Sequence, residues 1–182
     1  ALNSYVLFYD VSSGTLDAKV MLEDTLGMAL CYPESSTAAV LCDDGLYLID
    51  RSGESEHTLT IASSDLISLT SHDNMLAIAT RSYSGNARSD LYTVRGSTLS
   101  GPYALAEEPS ALAISAAGTA VLSSSGVTVY DTSFQPQWHN TEAVGARRVL
   151  LTDDGTVCAL YTKNARLFTA HSEHSEEVTN AN

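Results

Sequence analysis

Apolar positions in this chain fall in short runs separated by Asp, Ser, Asn and Gly. Leu26–Cys31 leads through a turn to Thr37–Leu41. Ile67–Thr70 leads through His72-Asp73-Asn74 to Met75–Ala79. Ser110–Ser115 leads through Ala116-Ala117-Gly118 to Thr119–Leu122, and Arg148–Thr152 leads through Asp153-Asp154-Gly155 to Thr156–Leu160. Runs this short, rich in Val, Leu, Ile and Thr and bounded by turn residues, predict β-strands joined by tight hairpins. No window combines sustained 3.6-residue periodicity with caps, so almost no helix is expected.

A third strand carries a phrase that repeats. Leu7-Phe8-Tyr9-Asp10-Val11-Ser12-Ser13-Gly14 returns as Leu46-Tyr47-Leu48-Ile49-Asp50-Arg51-Ser52-Gly53 and as Val127-Thr128-Val129-Tyr130-Asp131-Thr132-Ser133. A weaker copy, Leu91–Ser97, fills the middle. The spacing, 40 residues and then about twice that, marks a repeat architecture. More polar segments follow each phrase: Thr15–Leu22, His57–Ile61, Tyr103–Ala106 and Gln137–Thr141. They read as outer strands, since exposed edges are short and polar.

Four-stranded antiparallel units of about 40 residues predict an all-β fold: a β-propeller or propeller fragment of about four to five blade-equivalents. The phase of the phrase gives a partial blade at 4–22, whole blades at 26–62, 66–106 and 109–143, a partial blade at 147–170, and a polar C-terminal tail at 171–182. Two arrangements are open. In one, the chain is part of a larger propeller and leaves open sheet faces for self-association. In the other, the N-terminal third and fourth strands sit beside the C-terminal first and second strands and close a small ring. The fragment reading is preferred, because closure would leave Ala165–Thr169 redundant as a third strand.

The Leu-Tyr-x-x-Asp-x-x-Gly phrase, preceded by the Asp-Asp-Gly turns at 43–45 and 153–155, resembles the WD40-like and quinoprotein-like propellers. The Gly-His and Trp-Asp dipeptides of true WD40 repeats are missing, as are the tryptophan docking motifs of quinone enzymes; Trp138 does not repeat. The chain is most similar in character to uncharacterised propeller domains of Gram-positive bacteria. That resemblance implies an extracytoplasmic protein, with any anchor upstream. It brings over no catalytic residue and no cofactor.

Charge narrows the partners. The formal net charge is −13, from 22 acidic and 9 basic side chains. Nucleic acid and anionic lipid surfaces need a basic face, so neither is expected. No apolar run approaches the roughly 18 residues of a membrane span. The chain has neither a secretory signal nor an initiator Met, and the expectation is a processed protein or a piece of a longer one.

The candidate chemistry is sparse. Cys31, Cys42 and Cys158 lie in apolar strands and read as small buried hydrophobes. The first two flank a hairpin whose register places Cys31 opposite a residue near 38, so no disulfide is expected. Asp10, Asp50 and Asp131 invite a calcium reading, but they stand before Ser- and Gly-rich turns and lack the six or more oxygen ligands calcium takes. His57, His72, His139, His171 and His174 are scattered, and the tail pair lacks a third ligand; no metal site is assigned. No Gly-x-Ser-x-Gly elbow marks an activated serine.

The best binding candidate is the insertion Arg81–Ser89, which lengthens one second-to-third-strand connection only. It combines Tyr83 with Arg81 and Arg88 in an acidic protein. The reading is a non-catalytic scaffold for a protein or peptide. The alternative is a hydrolase or lyase in the propeller channel, which would require Arg147, Arg148, His72 and Asp73 to converge.

Overall fold

A computed structural model describes residues 2–34, 36–83, 85–170 and 176–178. Sixteen of its strands form four sheets of the same plan, and two more form a pair. The strands are β1 (Ser4–Asp10), β2 (Thr15–Leu22), β3 (Gly27–Glu34), β4 (Thr37–Cys42), β5 (Gly45–Asp50), β6 (Ser55–Thr60), β7 (Leu66–His72), β8 (Met75–Arg81) and β9 (Ser89–Arg95). They continue as β10 (Thr98–Leu105), β11 (Ala111–Ser115), β12 (Gly118–Ser123), β13 (Gly126–Tyr130), β14 (Pro136–Asn140), β15 (Arg148–Leu151), β16 (Val157–Leu160), β17 (Ala165–Phe168) and β18 (Glu176–Val178). Among the described residues, helix is limited to two single 3-10 turns, Ser63–Asp65 and Thr141–Ala143.

Each four-stranded sheet follows chain order: β3-β4-β5-β6, β7-β8-β9-β10, β11-β12-β13-β14 and β15-β16-β17-β18. The two-stranded sheet is β1-β2. The second strands are the most buried. All six residues of Thr37–Cys42 are inside, as are Met75–Thr80. These are the continuous apolar runs, and continuous burial is what such runs encode. The outer strands β6 and β14 are largely exposed.

Differences from the sequence reading have local causes. β10 begins at Thr98 rather than Tyr103, because Gly96 takes φ 58° and turns the chain at once. β3 runs on to Glu34, and its pairing with β4 shifts register between Cys31 and Glu34. Cys31 lies opposite Ala39 and Cys42 opposite Gly27. Within the segment read as a tail, Glu176–Val178 pairs antiparallel with β17. β16 is paired on one side by β15 and on the other by β17.

Two compact units can be described. The first comprises Ala1–Leu66, Asp73–Met75 and Val94–Leu99. Its core sets Phe8, Val20 and Leu22 of the β1-β2 pair against Ala38, Val40, Cys42 and Ile49 of the next sheet. The second comprises Ile67–His72, Leu76–Thr93 and Ser100–Asn182. Its core sets Ala113, Ala120, Leu122, Val127 and Val129 against Val149, Leu151, Val157, Ala159 and Phe168. Each large aliphatic buried this way is worth about 1.5–3 kcal/mol relative to exposure.

Candidate functional site

The repeated aspartates are turn-formers. Asp10 Oδ1 accepts from the Ser12 N–H (2.8 Å), the Ser12 hydroxyl (2.6 Å) and the Ser13 N–H (3.1 Å). Asp50 Oδ1 accepts from the Ser52 N–H (2.8 Å), the Ser52 hydroxyl (2.6 Å) and the Glu54 N–H (3.0 Å). Asp131 repeats the pattern with the Ser133 and Gln135 N–H groups at 2.9 and 2.8 Å. Hydrogen bonds from Ser12 and Ser52 hold the Asp10 and Asp50 carboxyls below their ordinary range. Oxygens occupied by local backbone are turn chemistry. Among the described residues, no three His, Cys, Asp or Glu side chains gather as a metal site would. His171 and His174 lie outside the described residues.

The inner strands of the second unit carry the enzyme candidates. A groove of about 390 Å³ is lined by Ser68, Thr70, Ser110, Arg147 and Arg148, among others. A second, of about 430 Å³, holds His72 and Asp153 and shares Thr70, Val149 and Leu150 with the first. The arginine pair lines the first and His72 the second. Asp73 turns the chain after β7 at φ 47°.

The insertion is where the repeat is broken. The connections β4–β5 and β12–β13 take two residues each, and β16–β17 takes four; β8–β9 takes seven, 82–88. The loop is closed at its base. The Ser82 N–H donates to the Arg88 carbonyl at 3.2 Å, and the Arg88 N–H donates to the Leu105 carbonyl at 3.0 Å. Gly85, at φ 61°, has open space where a Cβ would stand. Arg81 and Arg88 flank the loop and both are exposed. Tyr83 is 77% exposed, the most of any aromatic side chain among the described residues. The sequence-predicted trio therefore belongs to one loop, with Ser82 and Arg88 paired through the backbone at its base.

Three clusters escaped the sequence reading. Asp43 Oδ1 accepts from the Thr25 hydroxyl and the Leu26 N–H, each at 2.7 Å, and the Leu26 bond leads in holding its carboxyl low. Next to it, the Tyr47 hydroxyl donates to Asp44 at 2.6 Å. That bond pushes the Tyr47 phenol up to about 12, and the His57 ring packs on Tyr47 at 4.7 Å. Glu107 accepts from the Ser124 hydroxyl (2.8 Å) and the Ser125 N–H (3.2 Å), which brings it down to about 2. Phe134, at φ 59°, stacks between Tyr130 and Tyr103, with centroids at 4.1 and 4.3 Å. The only sequence signal for any of these was a turn: Asp-Asp-Gly, Ser-Ser-Ser-Gly and the Asp131 phrase. Thr25 and Leu26, Ser124 and Ser125, and Tyr103 come from other hairpins or strands, which local pattern does not reveal.

No protein-family model and no curated protein matches this chain. Solved structures do match it in fold. BBS1N, solved in complex with ARL6DN, aligns with a TM-score of 0.53 at 15% identity, over 92% of this chain and 59% of its own. Regucalcin of Agrobacterium tumefaciens, described as a calcium-binding protein, aligns with a TM-score of 0.51 at 15% identity, over 96% of this chain and 66% of its own. PorZ of Porphyromonas gingivalis, described as a bacterial surface component of the type-IX secretion system, aligns with a TM-score of 0.56 at 14% identity, over 86% of this chain and 22% of its own. The chain spans less than two thirds of the length of each. Identities this low speak for fold alone, and the fold they share with this chain is of β-propeller type, a succession of four-stranded antiparallel sheets.

Proposed function

We propose that this chain is a non-catalytic interaction scaffold that takes a protein or peptide partner on the loop 82–88. The observation that carries the reading is the exposure of Tyr83 between two exposed arginines, on a loop five residues longer than its two-residue counterparts and pinned at its base. Tyrosine and arginine are the residues that most often dominate interface energies, and a loop held at its base loses less entropy on binding than a free one. Two guanidinium groups on a protein of net charge −13 favour a partner segment that is acidic where it meets them. The BBS1N structure, a complex with ARL6DN, lends support by analogy of fold only. An extracytoplasmic location belongs to the same proposal; the likeness to PorZ, a surface component, supports it.

The test is capture from the source organism with the wild-type chain and with a triple variant, Arg81→Ala, Tyr83→Ala, Arg88→Ala. A partner retained by the first and lost by the second, with melting temperature unchanged, is expected. Identical captured proteins would overturn the assignment of the loop.

A further inference from the structure

The groove that holds the arginine pair has no counter-charge of its own. Ser68 and Thr70 of β7, Ser110 beside β11, and Arg147 and Arg148 at the head of β15 line it, all within the second unit. β7, β11 and β15 are each the end strand of a complete sheet, backed by a second strand. The Arg147 N–H donates to the Leu160 carbonyl at 2.8 Å, and the Ser110 N–H to the Leu122 carbonyl at 2.7 Å, so the backbone at both positions is pinned. Among the described residues that line the groove none is acidic, and neither arginine forms an ion pair with a described residue. In a chain with 22 acidic side chains and 9 basic ones, that is the reverse of the overall balance.

Two hydroxyls point to the same chemistry. Ser68 and Thr70 stand two residues apart on β7, and therefore on one face of the strand. Both are half-buried, and neither hydroxyl is hydrogen-bonded to a described residue. The Ser110 hydroxyl is engaged, donating to the Leu122 carbonyl at 3.2 Å. The groove therefore offers two guanidinium groups and two O–H donors, with no carboxylate in its lining to take them. Guanidinium groups bind carboxylate and phosphate oxygens in bidentate fashion, and such charged hydrogen bonds are roughly twice as strong as neutral ones. Adjacent like charges also repel, and an anion set between them removes that cost. Leu150 is 56% exposed and shares a face of β15 with Arg148. It puts an apolar wall beside the charge, which suits an organic anion better than a bare inorganic one.

We propose that this groove binds a small organic anion, a carboxylate or a phosphate ester. Arg147 and Arg148 hold its charged group, the hydroxyls of Ser68 and Thr70 donate to the same oxygens, and its carbon body lies against Leu150. The volume, about 390 Å³, is that of a small-molecule site. The net charge of −13 works against a large polyanion, which would meet the acidic surface beyond the groove, so the ligand is one that fits inside it. No bond is made or broken; the site binds.

The experiment titrates the whole chain with succinate and with glycerol 3-phosphate in low salt, with glycerol as the neutral control. Affinity is read by calorimetry, and the site is located by backbone amide NMR shifts. At least one of the two anions is expected to bind and glycerol is not; the tighter anion identifies the charged group as carboxylate or phosphate. Shifts are expected at residues 68–70, 110–112 and 147–150. Arg147→Gln and Arg148→Gln should each weaken binding by about tenfold, as for the loss of one charged hydrogen-bonding partner. Ser68→Ala combined with Thr70→Val should weaken it by a smaller factor. Both arginines are exposed, so the melting temperature should hold. Lys163→Gln removes a positive charge outside the groove and should change affinity by no more than about twofold. The proposal goes beyond the scaffold reading and does not rest on it. Deletion of residues 83–87 should leave anion binding intact, so the two can fail separately. No binding of either anion, equal binding of glycerol, shifts centred on other strands, or indifference to both arginine substitutions would overturn it. So would a loss in Lys163→Gln as large as in the arginine variants, because the attraction would then belong to charge in general and not to this groove.

Discussion

Gly126 opens β13 at φ 133°, and a Cβ built there would stand 2.3 Å from the Asn140 carbonyl oxygen. Gly45 opens β5 in the same way, with the Leu59 carbonyl at 2.1 Å. Both glycines follow the hairpin turn because the fourth strand's backbone closes directly over them. Gly126→Ala should therefore destabilise by on the order of 3 kcal/mol, from backbone strain plus a clash with main chain that cannot swing aside; chemical denaturation would measure it. Glu107 gives a pH signature. Its carboxyl is lowered from 4.5 to about 2, led by the Ser124 hydroxyl. A depressed carboxyl adds stability that is present above its unfolded value and disappears as pH falls from about 4.5 to about 2. Glu107→Gln should therefore lower the melting temperature at pH 7 and converge with wild type near pH 2; parallel melting curves across that window would contradict this. At this scale the sequence was a good guide to Asp10, Asp50 and Asp131, since their partners lie two to four residues away. It was a poor guide to Glu107 and to the Tyr103 side of the Phe134 stack, where the partners are 17 and 31 residues away along the chain (107 to 124, and 103 to 134).

At the scale of elements, strand identity was legible because the repeat let each hairpin vouch for the others. The apolar runs became β4, β8 and β12, buried along their length apart from single residues at their ends. Boundaries were less legible where pairing rather than composition sets them. β10 starts as soon as Gly96 has turned the chain, and β18 is a strand only through its ladder to β17. The insertion was legible as a length, seven residues against two, although its base pairing was not. Deleting Tyr83–Ala87 joins Ser82 to Arg88, a connection of the same length as Asp43-Asp44. Loop closure costs little more or less over such a change, so the melting temperature should move by no more than about 2 °C. A larger fall would show that the loop supports the fold rather than a partner.

For the whole molecule, the fold type was foreseen from periodicity, and the structural neighbours agree at identities of 14–15%. Function was hardly legible at all. Sheets of this plan are filled by Ala, Val, Leu and Ile for packing, so their sequence is silent about ligands. What departs from the plan is more informative: a connection of seven residues where its counterparts β4–β5 and β12–β13 take two. The central claim is that the loop is a binding site. Its most direct test is the equilibrium affinity of a captured partner for wild type and for Tyr83→Ala, with melting temperature recorded alongside. The account predicts at least a tenfold loss, as for an interface anchor of about 1.4 kcal/mol or more, with an unchanged melting temperature. Affinities within twofold of each other would contradict it.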